Sequence, residues 1–213
     1  MFCCGIISWG VSELGLVVKK RYVDKMKCEK CKQEAETDYR WRLSQLLRRA
    51  SGSLGLNKPT QRISVYKHEN EIGQFVMIGR YSCNPVYNKD GRMYYPGNEG
   101  VICEAWKTGE KVFEIFSNPE NLEEYCNEQC RESNIPQEVS NKFAMKSVYY
   151  SAHAVSDIRG NRIAIVVWES TGKPKETKKT HERLMDVAVE VAYYMMDNER
   201  TEPSLSSAWE EGL

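Results

Sequence analysis

Three groups of side chains in this sequence are of types that do chemistry. The first lies in the strand-like run SVYYSAHAVS (147–156). Alternation sets Tyr149, Ser151 and His153 on one face, and Tyr150, Ala152 and Ala154 on the other. A face carrying a phenol, a hydroxyl and an imidazole suits a ligand pocket, where a few polar groups fix orientation within aromatic walls. It equally suits the wet side of an antiparallel sheet. His153 alone, with no second feature of a haem cavity around it, reads as an ordinary polar histidine rather than an iron ligand.

The second group is the thiols. The chain has eight cysteines. Cys28-Glu-Lys-Cys31 and Cys126-x-x-x-Cys130 together offer four ligands of the kind that hold zinc. The two pairs stand far apart in sequence, on separate helical stretches, with no histidine at ligand spacing. Cys103 sits in an apolar helical stretch and reads as a small buried side chain. The expectation is therefore no metal, no resident cofactor and no catalytic residue. The third group is Arg80, in the run FVMIGRYS (75–82), which shares a strand face with Val76 and Ile78. If that face points inward, Arg80 suits a phosphate or carboxylate.

The elements that must position these groups centre on YYPGNEGVICEAWKTGE (94–110). Pro96-Gly97 and Gly100 bracket a tight turn. Val101, Ile102, Ala105 and Trp106 then follow at helical spacing, and Gly109 stops the helix. Backbone N–H groups from Asn98 to Val101 at that helix start can hold an anionic or carbonyl group. Strand patterns at RISVY (62–66) and 75–82 precede this segment. VFEIF (112–116), 147–156 and NRIAIVVWES (161–170) follow it. Segment 118–146 is long, polar and partly helical. Leu43, Leu46 and Leu47 in one helix, and Leu184, Val187, Val191 and Met195 in another, form apolar stripes for a sheet. Thr37 or Asp38 is placed to cap a new helix.

Residues 1–18, MFCCGIISWGVSELGLVV, carry one formal charge, Glu13, and precede Lys19-Lys20-Arg21. As a helix they span about 27 Å, just short of a bilayer's hydrocarbon core. Gly5, Ser8, Ser12 and Gly15 form a small-residue stripe for helix packing. The expectation is a short membrane helix with the following domain on the cytoplasmic side; the alternatives are an apolar helix buried against the domain or a dimer partner, and a soluble, cytoplasmic interaction module from a larger signalling regulator with residues 1–36 as a coiled-coil connector. The expected organisation is an apolar helix at 1–18, a polar connecting helix at 19–36, one α+β domain at 37–197 and a loose tail at 198–213. With 30 basic and 30 acidic residues the formal net charge is zero, which argues against nucleic acid as a partner.

RISVY, the segment PGNEGVICEAWKTGE and the closing strand IAIVVWES together resemble the GAF domain family, over roughly residues 37–197. The resemblance implies a central antiparallel sheet of five or six strands with flanking helices, preceded here by the long N-terminal helical segment. It implies a small-molecule sensor or a dimerising module, and hence a homodimer or higher oligomer. The implied pocket lies between the sheet and segment 84–146, with Arg80, Tyr94, Tyr95, Asn98, Cys103, Trp106, Tyr149, Ser151 and His153 as lining candidates. Free methionine-R-sulfoxide reductase, a GAF-fold enzyme family, places a cysteine closer behind the central glycine than Cys103 stands behind Gly100. That family's downstream cysteine segment is also missing, so the expectation is a sensor and not an enzyme. A membrane helix joined to a ligand-binding domain is similar in architecture to small membrane effectors of bacterial anti-phage defence.

Overall fold

The computed structural model describes residues 5–89 and 91–198, with side chains from residue 19 onward. The chain divides into two compact units, Met1–Asp38 and Tyr39–Leu213. Helix α1 (Gly5–Ser53) begins in the first, where it carries exposed i,i+4 ion pairs such as Lys25–Glu29 and Lys30–Glu34, each contributing a few tenths of a kcal/mol. The expected restart at Thr37 or Asp38 does not occur. Thr37 Oγ1 donates to the carbonyl of Gln33 one turn back, at 2.8 Å, and so does not cap a new helix. No helix among the described residues is long and apolar enough to cross a membrane. The small-residue stripe proposed for 1–18 rests on side chains outside the described residues, as does the tail beyond 198.

The second unit is built on a six-stranded sheet in the order β3-β2-β1-β6-β5-β4, antiparallel throughout. The strands are β1 (Gln61–Glu69), β2 (Gln74–Tyr81), β3 (Tyr94–Pro96), β4 (Glu110–Glu114), β5 (Tyr149–Ser156) and β6 (Arg162–Ser170). Short α2 (Gly100–Thr108) packs on β4, β5 and β6. Its C-cap is Gly109 at φ +97°, whose N–H reaches Ala105 O at 2.8 Å, so the glycine expected to stop this helix does so. Helices α3 (Leu122–Ser133) and α4 (Gln137–Ser140) follow, and α5 (Thr177–Asp197) closes the unit.

Strand register sorts the side chains into two faces. Ile63, Val166, Trp168, Tyr149 and Ser151 point toward the layer made by the second half of α1 and by α5. Leu43 rests over Gly79 there, and Leu47, Leu184, Val187 and Val191 are fully buried. Tyr194 OH donates to Tyr39 O at 2.9 Å and ties the first and last helices together. Arg62, Tyr66, Val167, Glu169 and Tyr150 point the other way, toward α2 and α3. Ile165 and Val167 are buried, as a sheet covered on both sides requires.

Candidate ligand-binding site

The face toward α2 and α3 carries an inner cavity and an outer cleft. The inner cavity is about 60 Å³, enough for a few water-sized groups. Its floor is Tyr66, Val167 and Tyr150 from the sheet; its walls are Gly100, Val101 and Ile102 of α2, Gln129 and Ser133 of α3, and Ile135 and Phe143. The first residues of α2, whose N–H groups lack partners within the helix, line the cavity. The end of α3 is held to the start of α2. Asn134 takes the left-handed conformation at φ +54°, and its Nδ2 donates to Asn98 O at 3.1 Å.

A buried polar network closes the inner end. Gln129 Nε2 donates to Tyr150 OH at 2.9 Å and to Tyr125 OH at 3.0 Å, and Tyr125 OH donates to Ser147 O at 3.0 Å. Burial pushes the Tyr125 phenol up to about 12 and Tyr150 well above the usual phenol range, so both remain neutral donors.

The outer cleft, about 640 Å³, shares Arg62, Tyr95 and Phe143 with the cavity and adds Arg80, Lys89, Arg92 and Lys142. Arg62 Nε meets Glu169 Oε1 at 2.7 Å, with Ser147 Oγ donating to the other carboxylate oxygen at 2.8 Å. Burial alone would raise Glu169; the Arg62 guanidinium reverses this and holds its carboxyl below the usual range. Arg80, only 6% exposed, donates Nε to Ser64 Oγ at 3.1 Å and Nη1 to Lys89 O at 2.9 Å. Arg92 pairs with Glu99 and lies 4.6 Å over the Tyr95 ring. Burial, with Tyr66 nearby, raises the Tyr95 phenol, so it too is neutral.

Of the sequence candidates, Arg80 and Tyr95 line these spaces. Tyr149, Ser151 and His153 lie on the opposite face of the sheet, under α5, and not on the pocket face expected for them. Alternation separates two sets of side chains without saying which set meets which layer. Ser151 Oγ is 2.6 Å from His181 Nδ1, the His153 ring lies tilted against His181 with centroids 4.0 Å apart, and Tyr149 meets Trp168 edge-on. Trp106 is stacked on His68 at 4.3 Å and edge-on to Phe75, while Cys103 is buried in α2. Tyr94 and Asn98 are not among the lining residues; Asn98 is exposed and contributes its carbonyl to Asn134. Cys28 and Cys31 belong to the N-terminal unit and Cys126 and Cys130 to the other, all free thiols.

Arg62, Glu169 and Gln129 escaped the sequence reading. The one available signal was two charged residues, Arg62 and Glu169, set within apolar strand patterns.

Under α5, Glu110 Oε2 lies 2.9 Å from His181 Nε2 and 3.5 Å from His153 Nε2. The bond to His181 holds Glu110 below the usual carboxylate range. Burial, then the neighbouring His181, lowers His153. Ser151, His181 and Glu110 are the residue types of a hydrolase triad, but Ser151 is 0% exposed and cannot meet a substrate.

No family model matches the chain, and no curated protein matches it. Solved structures do. The type II free methionine-R-sulfoxide reductase of Thermoplasma acidophilum is 13% identical over 76% of this chain and 96% of its own, with a TM-score of 0.52. The free methionine-R-sulfoxide reductase of Neisseria meningitidis is 12% identical over 79% and 88%, with a TM-score of 0.51. The GAF domain of a two-component sensor histidine kinase from Bacillus halodurans is 10% identical over 73% and 94%, also with a TM-score of 0.51. Two of these three are enzymes, which overturns the expectation of a sensor and not an enzyme. Likeness at this level of identity establishes architecture: the chain carries a GAF-like fold, with its central antiparallel sheet and flanking helices.

Proposed function

We propose that the Tyr39–Leu213 unit is a ligand-responsive regulatory domain that binds a small anionic molecule. The carboxylate or phosphate of that molecule lies in the outer cleft and its flat or apolar body enters the inner cavity. The observation that carries this reading is the convergence of Arg62, Arg80, Lys89, Arg92 and Lys142 on one cleft that shares Arg62, Tyr95 and Phe143 with the cavity lined by the start of α2. Guanidinium groups match carboxylate and phosphate geometry, and helix N-terminal N–H groups add directed donors. Tyr95, Phe143 and Tyr150 supply area for a planar group.

A native mass spectrum of the purified protein should show a retained small anion. Lys142→Glu, an exposed change at the cleft rim, should weaken its binding about tenfold or more while leaving the ligand-free melting temperature unchanged. If neither phosphates nor carboxylates raise the wild-type melting temperature, and no adduct is retained, the anion reading fails.

A second reading, a dimerising module, is favoured by α5. Met185, Val189 and Tyr193 follow at i, i+4 and i+8 and are 51%, 52% and 63% exposed, an apolar stripe beside the buried face of the same helix. A second copy meeting this stripe gives a twofold helix pair. Light scattering should then give a dimer mass that Val189→Glu converts to a monomer; a wild-type monomer at high micromolar concentration would remove the reading.

A further inference from the structure

We propose that Glu110, His153 and His181 form a divalent metal site of the first-row transition series, on the opposite face of the sheet from the anion cleft. Their ligand atoms, one per residue, lie within 4.8 Å of one another. A tetrahedral zinc ion with bonds of about 2.0–2.1 Å spaces its ligand atoms about 3.3 Å apart. The Glu110 oxygen stands 2.9 Å from one imidazole nitrogen and 3.5 Å from the other, on either side of that spacing. A second, independent feature points to a ligand. The His153 side chain is 8% exposed, and its Nε2 is buried without a hydrogen-bond partner, aimed at Glu110 and His181. A buried polar atom left this way is costly unless something fills its valence.

The supporting contacts fit as well. Ser151 Oγ engages His181 Nδ1 at 2.6 Å, which fixes that ring with Nε2 toward Glu110. This is the orienting bond that metal-ligating histidines make through their other nitrogen. Cross-strand pairing sets Glu110 directly opposite His153, and α5 brings His181 over both. Glu110 is 60% exposed, so an ion has an entry path and a fourth position open to water. Two imidazoles and one carboxylate favour zinc, cobalt or iron over magnesium or calcium. Once bound, the ion would fasten α5 to edge strand β4.

The test uses the full chain, stripped with chelator under reducing conditions and then titrated with zinc or cobalt(II). One equivalent should bind with a rise in melting temperature. The cobalt complex should show ligand-field bands without thiolate charge transfer. Glu110→Gln, nearly isosteric and on the surface, should lose that equivalent and the rise in melting temperature while keeping the wild-type circular dichroism. Ser151→Ala, a change at a positioning residue, should weaken uptake about tenfold, and Ser151→Thr should restore part of it. Magnesium should give no shift. Absence of uptake by the wild type overturns the proposal. So does uptake that persists in both Glu110→Gln and His181→Gln, or a cobalt spectrum dominated by thiolate bands, which assigns the ion to cysteines.

Discussion

Glu169→Gln lowers the unfolding free energy by about 3–5 kcal/mol, because it leaves the Arg62 guanidinium buried without its charge partner. The side chains are 7% and 13% exposed, so solvent offers little relief. Urea titration at pH 7 reads the loss as an earlier midpoint. Arg62→Met combined with Glu169→Leu should recover much of it, since an apolar pair of similar volume avoids both desolvation costs. The pH dependence has a definite sign. The folded carboxyl of Glu169 lies below its unfolded value, so its contribution is fully present above the ordinary glutamate range of about 4.3 and is lost as pH falls through the depressed folded value. The glutamine variant should lack that acid limb. An unchanged midpoint in Glu169→Gln would show that the pair contributes nothing.

Gly97→Ala should cost about 1–3 kcal/mol or more and remove the proposed anion binding together. A Cβ there would run into the carbonyl oxygen of Gly73, a backbone atom in the β1–β2 turn, where Gly73 itself sits at φ +62°. No rotamer change relieves a contact between two backbones. The strain must push β3 off β2, whose pairing runs from Gln74↔Pro96 to Val76↔Tyr94. That strand carries Tyr95, one of the residues common to cavity and cleft, and leads into α2. Differential scanning fluorimetry and a binding titration on one variant check both effects. Wild-type melting with wild-type affinity would mean the turn yields freely.

Most of the sheet was legible because its strands alternate and its turns carry glycine. The stop of α2 was legible because Gly109 is the one residue type comfortable at its φ. Much of the site was not. Tyr149, Ser151 and His153 were correctly grouped but assigned to the wrong layer, because their partner His181 comes from a helix distant in sequence. Glu110, which closes the helix-side cluster, looks in sequence like an exposed acid after a cap. Arg62 and Glu169 are joined only by strand register, which no local pattern encodes. Thr37 looked like an N-cap, and its hydroxyl turned back one turn to bond Gln33 instead.

The pairing of β1 with β6 also sets a timetable for folding. Residues 61–67 form one side of the sheet's central ladder and residues 164–170 the other. During synthesis β1 and β2 can close as a hairpin early, yet the inner edge of β1 stays unpaired until about a hundred further residues have emerged. At ribosomal rates of about 5–20 residues per second, that wait lasts roughly 5–20 s. Over that interval Ile63 and Val65 sit on an open, strand-templating edge, the hazard that edge strands pose. Assembly of this domain is therefore closed by its last strand, and a chain truncated before residue 164 should collect as aggregate instead of as a smaller folded core.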